Sequence, residues 1–332
     1  MKNQVFFCQD ISSQSINKLY DLIKPPQAGK IGIKLHFGEK GNKNFLPPKL
    51  IKPLAKKISA NLIESNVLYV SERRYTDSHI KLARQHGFDF APIDILDKEY
   101  DLALPVTNSK YFDKAYFGQN ISNYDTILAY SHFKGHGLSG FGGAIKNVGM
   151  GMASVAGKMA MHASTIPTIK ADKCIVCGKC VELCPPNAIT LQPVKISAEK
   201  CIGCGTCVGV CPESVFGIPW DSTSKSDFII RMLQYTKAVI KYRPIIYINV
   251  LANISQACDC MSSAPAPFTD DIGIVAGTDI VAVEKASLDL LAQQTGQADI
   301  LQEFNQVDNY QQIDLAAKLG LGSKEYELVI VK

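Results

Sequence analysis

The sequence predicts an α/β protein, a largely parallel sheet with helices on both faces, interrupted by a small inserted α+β module. Three observations carry this. Short apolar runs alternate with segments of helical period along most of the 332 residues. A cysteine repeat is confined to residues 168–220. The α/β pattern resumes after it. The predicted organisation is a discontinuous α/β domain, residues 1–167 plus 221–332, with residues 168–220 inserted. The last ~110 residues are long enough to fold alone, so three separate domains stand as the rival division.

The elements follow in chain order. VFFC (5–8) reads as a strand ending on Cys8, a small core residue. KIGIKLHF (30–37) is a strand that stops at Gly38. Residues 47–65 have helical spacing, with Leu50, Leu54, Ile58 and Leu62 on one face. VLYVSE (67–72) reads as a strand, and residues 77–87 as a helix that stops at Gly87. DTILAYSHF (125–133) is a strand. After the cysteines, residues 225–242 are helical and PIIYINVL (244–251) is a buried strand. Residues 271–294 pass from strand to helix, and YELVIVK (326–332) closes the chain as a strand.

Composition narrows the function. Apolar residues make up 46%, charged residues 20%, and the net charge is +4. No arginine-rich stripe points to nucleic acid. KPLAKK (52–57) reads as the wet face of a helix. The opening MKNQVFFCQDISSQS has no long apolar region, and no stretch approaches the ~20 residues a membrane span needs. The expectation is a cytoplasmic protein with no membrane span. Eleven cysteines in a reducing compartment argue for metal or redox chemistry rather than disulfides.

Eight of them form a repeat. CIVCGKCVELCPPNAI (174–189) and CIGCGTCVGVCPESVF (201–216) match at an offset of 27. Cys174, Cys177, Cys180 and Cys184 align with Cys201, Cys204, Cys207 and Cys211, and Pro185 with Pro212. Each copy is C-x2-C-x2-C-x3-C-P, the signature of bacterial two-cluster ferredoxins, which residues 168–220 resemble. Three closely spaced thiolates wrap one cluster and the fourth reaches the other. That assigns Cys174, Cys177, Cys180 and Cys211 to one 4Fe–4S cluster, and Cys201, Cys204, Cys207 and Cys184 to a second. Zinc sites take four ligands, usually in two separated pairs, and fit two ordered runs poorly. Glycines 178, 203 and 205 let the backbone pass close to a cluster. Five Lys against four Asp or Glu make the segment nearly neutral.

Residues 131–162, SHFKGHGLSGFGGAIKNVGMGMASVAGKMAMH, hold His132, His136 and His162, half of the six histidines. A glycine-rich loop between strand and helix can cradle an anion, with Lys134, Lys146 and Lys158 supplying charge. The third glycine falls at 143 rather than 145, so the dinucleotide fingerprint fails, and no P-loop is present. The alternative is glycines for packing and histidines as polar loop residues. His36 ends the earlier strand. Cys258 and Cys260, in QACDCMSS, follow a buried strand. In an extended segment they face one side while Asp259 points away. A disulfide between them is possible but strained, because extended i,i+2 Cα atoms lie ~6.6 Å apart, at the upper edge of disulfide geometry. They are either packing or part of a second site.

IKLHFGEKGN (33–42), the block at 131–158, CDC (258–260) and DIGIVAGTDIVAVEKASLDL (271–290) together resemble the domain-of-unknown-function 362 family, in the version with an inserted two-cluster ferredoxin module. The resemblance spans nearly all of the chain. It implies an iron–sulfur protein and gives no substrate. It tilts CDC towards a second site.

Two functions of different class follow. The first is electron transfer between redox partner proteins through two 4Fe–4S clusters. The alternative is an oxidoreductase whose clusters feed a second site of His36, His132, Lys134, His136, Lys146, His162, Cys258 and Cys260. Imidazoles and thiolates there suit an additional metal, whereas lysines and glycine N–H groups suit an anionic ligand. Asp270, Asp271 and Asp279 lie at strand ends, as site residues or as turn and N-cap residues. A cluster-based iron or oxygen sensor is a third class, without a DNA-binding motif to support it.

Overall fold

The computed structural model describes residues 3–23 and 29–332. The chain opens with β1 (Asn3–Cys8) and α1 (Ser13–Ile23), whose Ile16, Leu19, Tyr20 and Ile23 recur at helical spacing on a buried face. Next come β2 (Ile31–Lys34), α2 (Pro48–Lys57), β3 (Asn61–Glu64), α3 (Thr76–Gln85) and β4 (Ile93–Ile95). A hairpin of β5 (Asp101–Pro105) and β6 (Lys114–Gly118) leads to β7 (Thr126–His132). A short hairpin, β8 (Lys134–His136) and β9 (Gly140–Gly142), leads into α4 (Ala144–Gly149) and α5 (Val155–His162).

Residues 164–223 leave the main sheet. Here β10 (Thr168–Ile169), α6 (Lys179–Glu182), β11 (Ile189–Thr190), β12 (Lys195–Ile196), α7 (Thr206–Val210) and β13 (Phe216–Gly217) form two small antiparallel pairs and two short helices. Ile189, Val194, Val208, Val215 and Phe216 give the segment a core of its own. Then α8 (Lys225–Tyr242), β14 (Ile245–Leu251), β15 (Gly273–Gly277), α9 (Ile280–Thr295), α10 (Ile300–Asn305), α11 (Asn309–Lys318) and β16 (Tyr326–Ile330) complete the chain.

Eight strands form the main sheet in the order β16-β1-β15-β14-β7-β2-β3-β4. All run parallel except β15, which is antiparallel to both neighbours. Strand alternation feeds two cores. In β14, Ile246, Ile248 and Val250 enter the core with α1 and α2, and Ile245, Tyr247 and Leu251 enter the core with α4, α8 and α9. The fold is therefore α/β with helices on both faces. No helix among the described residues is long and apolar enough to cross a membrane.

Two expected elements are different. The helix read over 47–65 ends at Lys57, because Ser59 turns left-handed at φ 50°. Leu62 belongs to β3, not to a helix face. Leu62, Ile63 and Glu64 are all buried, and a strand covered on both faces loses the alternation that would distinguish it from a helix. VLYVSE is not a strand either. It runs as bends, with Val67 and Leu68 buried and Val70 77% exposed.

Candidate functional site

The carboxyl ends of β14, β7, β2 and β3 are neighbours in the sheet, the place where parallel α/β proteins put their sites. A cavity of about 460 Å³ opens there. His36, His132, Lys134, His136, Lys146, His162, Cys258 and Cys260 all line it. The structure brings these eight together from three stretches of chain, His36, residues 132–162 and residues 258–260. Asn147 on α4 helps to close the gap, donating to the carbonyls of Lys34 (3.1 Å) and Tyr130 (3.2 Å) and to Ser131 Oγ (3.0 Å).

The charge is one-sided. Among the described residues Lys34, Arg73, Lys134, Lys146 and Lys158 line the cavity against a single lining carboxylate, Glu64. Glu64 holds Lys34 Nζ at 2.8 Å and Arg73 Nη2 at 3.1 Å, with all three side chains at most 3% exposed. Behind the wall, Asp259 accepts from His132 Nδ1 at 2.9 Å and holds Lys134 Nζ at 3.2 Å. The other ring nitrogen of His132 faces the Ala252 carbonyl at 2.7 Å. Lys146 and Lys158 have no carboxylate partner among the described residues. Lys146 Nζ lies 3.4 Å from Cys258 Sγ, and Lys158 donates to the Ala153 carbonyl. Burial lowers Lys158 to about 8.

His36, His136 and His162 are neutral donors or acceptors. Burial, then the Arg73 charge, holds His36 well below its ordinary value. Burial drives His162 to about 3, and among the described residues its buried Nδ1 has no partner. His136 Nδ1 accepts from the backbone N–H groups of Ser139 (3.1 Å) and Leu138 (3.3 Å), and Ser139 Oγ, which donates to the Phe141 carbonyl, lies 2.8 Å from it. Its proton therefore sits on Nε2, as a donor at the cavity wall.

Cys258–Met261 is a turn, not the extended segment read from the sequence. Met261 N–H donates to the Cys258 carbonyl at 3.0 Å. Both cysteines still line the cavity, but Asp259 is buried beside His132 and Lys134 rather than pointing away. Asp271 and Asp279 lie outside the cavity. Asp271 accepts from Asn253 N–H, and Asp279 caps α9 by accepting from Val281 and Ala282 N–H. Asp270 is exposed.

The eight repeat cysteines sit in residues 164–223, and the offset of 27 recurs in the backbone. Val176 and Gly203, Gly178 and Gly205, and Asn187 and Ser214 are matched pairs with positive φ. Ala188 N–H donates to Cys184 Sγ at 3.2 Å, and Val215 N–H to Cys211 Sγ at 3.4 Å. One small cavity is lined by Cys184, Cys201, Cys204 and Cys207. Burial raises the Cys180 thiol, with the sulfurs of Cys211 and Cys177 adding to it. Among the described residues no three His, Cys, Asp or Glu side chains converge on a point where a single ion would be held. Cluster thiolates each bind a different iron, so a cubane needs no such point.

Two side chains join the cavity to this segment. Leu68 lines the cavity and also packs on the Cys201–Cys207 loop, where a Cβ added to Gly205 would lie 3.3 Å from its Cδ1. Trp220 meets the His162 ring edge-on at 4.8 Å. Sequence reasoning missed Lys34, Glu64 and Arg73. A lysine inside the apolar run KIGIKLHF was the available signal for the first. Glu64 was hidden by the helix assignment, and Arg73 carried no signal.

No curated protein matches the chain. Among solved structures it is similar to the lactate racemase apoprotein from Thermoanaerobacterium thermosaccharolyticum. The TM-score is 0.40 and the identity 11%, over 76% of this chain and 51% of that one. It is also similar to a structural-genomics target from Thermotoga maritima, with TM-score 0.44 and 8% identity over 86% of this chain and 59% of that one. The chain thus spans between half and three fifths of the length of those two. The model of the family described as domain of unknown function (DUF362) matches residues 31–289, most of the chain, so the protein belongs to the DUF362 family.

Proposed function

We propose that this is an iron–sulfur protein of electron transfer, with residues 168–220 as an inserted two-cluster ferredoxin module. Cys174, Cys177, Cys180 and Cys211 would hold one 4Fe–4S cluster, and Cys201, Cys204, Cys207 and Cys184 the other. When bound, the clusters supply one-electron transfer. The observation that carries this reading is the repeat itself, present in the cysteines, in the positive-φ pairs and in the paired N–H···S contacts. Ile175, Val176, Leu183 and Ile202 are exposed apolar side chains beside the cysteines, a surface suited to redox partner proteins in the cytoplasm.

The cavity favours the fuller reading, an oxidoreductase that accepts a small anionic ligand at the second site. The argument is the excess of cations over carboxylates in its lining. Its volume suits a small molecule. Leu68 and Trp220 put it against the module. An additional metal has less support, since among the described residues no ligand triad converges there.

Iron and acid-labile sulfide are counted on anaerobically purified protein. Eight irons per chain are expected on the ferredoxin pattern. Cys180→Ser and Cys207→Ser should each disturb one cluster, giving different spectra of the reduced protein. Chains that take up no sulfide, or that hold zinc in a fixed ratio, would overturn the reading.

A further inference from the structure

Cys258 and Cys260 belong to neither set of four repeat cysteines. Neither is in a disulfide. Both line the cavity. The turn directs the Cys260 N–H onto Cys258 Sγ at 3.5 Å. A β-turn keeps its first and fourth Cα atoms within ~7 Å. A turn brings residues i and i+2 closer than the ~6.6 Å of an extended segment, towards the ~4.4–6.8 Å window that a disulfide requires. The two sulfurs are not equivalent. Lys146 Nζ stands 3.4 Å from Cys258 Sγ, while Asp259 is held by His132 and Lys134.

We propose that Cys258 and Cys260 form a redox-active dithiol that acts on a small, carboxylate-bearing disulfide in the cavity. Cys258 is the attacking thiolate and Cys260 the resolving thiol. The Cys260 thiol, hydrogen-bonded to it, holds Cys258 well below the ordinary thiol range, with Lys146 and Lys134 assisting against burial. The same contact, together with burial, pushes Cys260 well above it. A thiolate beside a protonated partner is the arrangement that thiol–disulfide exchange uses.

The steps balance. Cys258 thiolate attacks one sulfur of the substrate, forming a mixed disulfide and releasing one thiolate. Cys260 loses its proton and attacks Cys258 Sγ, expelling the second half of the substrate. The products are the Cys258–Cys260 disulfide, one thiolate and one thiol. Return needs two electrons and one proton, which a small dithiol supplies. Lys134 and Lys158, both on the cavity wall, meet the substrate's carboxylates.

The inference shares its cavity with the oxidoreductase reading but not its clusters. The test uses the full chain, purified anaerobically, with cystine as the probe. After incubation the protein is quenched with iodoacetamide and mapped by mass spectrometry. A Cys258–Cys260 linkage is expected, with release of free cysteine, reversed by dithiothreitol. Cys260→Ser should stop at a cysteine adduct on Cys258, and Cys258→Ser should form neither. Wild-type protein in which both thiols stay as inert as the buried Cys8 overturns the inference, and this arm depends on no variant. Iron and sulfide counts on the same samples separate the two ideas. Full clusters without thiol exchange refute the dithiol alone. Exchange in chains that bind no cluster refutes the cluster assignment alone.

Discussion

Glu64→Gln tests the charge balance of the cavity. Glu64 is the anion between Lys34 and Arg73, and all three are almost fully buried. Removing one member of such a set leaves buried charge uncompensated and costs ~3–5 kcal/mol. The loss has a ceiling. Lys34 is already pulled down by burial, with Glu64 the main group holding it up. Without Glu64 the amine can give up its proton. Neutralising a lysine at pH 7 costs about 5 kcal/mol from its ordinary pKa, and about 1.4 kcal/mol less for each pH unit above that. For a chain of this length the unfolding entropy is roughly 0.7 kcal/mol per degree, so the variant should melt ~4–7 °C lower at pH 7. The deficit should shrink towards pH 9. Adding Lys34→Met should recover part of it, because the double variant has one orphaned cation fewer. Melting is followed anaerobically at one scan rate. A Tm within a degree of wild type, or an equal loss at pH 7 and pH 9, would refute the ionic account.

Three further outcomes follow from the same geometry. Glu284, buried between Ile145 N–H (2.6 Å) and Asn249 Nδ2 (3.0 Å), is pushed by burial to about 7. The folded state keeps a proton that the unfolded chain has released, so stability falls as pH rises from about 4.5 to about 7. Glu284→Gln should match wild type near pH 4 and exceed it by about 3 kcal/mol at pH 8, read as a Tm difference. Gly135→Ala would put a Cβ 2.3 Å from the Gln256 carbonyl oxygen and wedge β8 from the 255–260 loop. It should cost about 1–3 kcal/mol and speed alkylation of Cys258. Lys146→Met removes the cation beside Cys258 Sγ and should slow its labelling by iodoacetamide at pH 7 roughly tenfold or more, with Cys8 as the internal control.

The sheet was legible where strands fill two cores. PIIYINVL and DTILAYSHF carry apolar residues at both parities because both faces are buried, and such runs read as parallel strands at any register. Legibility failed at 58–72 for the same reason. NLIE is also buried on both faces, but it follows a helix directly, and Leu62 continues that helix's spacing. Only the left-handed Ser59 separates the two, and serine carries no strong signal for that conformation.

The candidate site divides along a similar line. His132, Lys134 and His136 were visible because polar residues at a strand's carboxyl end have nothing to pack against and must serve a turn or a ligand. Lys34 and Glu64 sit at equivalent strand ends, yet their sequence context is apolar, and each looks like an error until the other is seen 2.8 Å away. Pairing across neighbouring parallel strands is a property of sheet order, and the order β7-β2-β3 is not written in any single segment. Asp259 makes the point most sharply. Read as the outward-facing residue of an extended CDC, it is in fact the buried anion that fixes His132 and Lys134. Its role depends on a turn closed by a backbone bond to Met261, a residue with no turn preference to announce it. The cations that face the cavity were thus readable from one strand end and its loop. The carboxylates that hold them in place were not, because each comes from a different strand or loop.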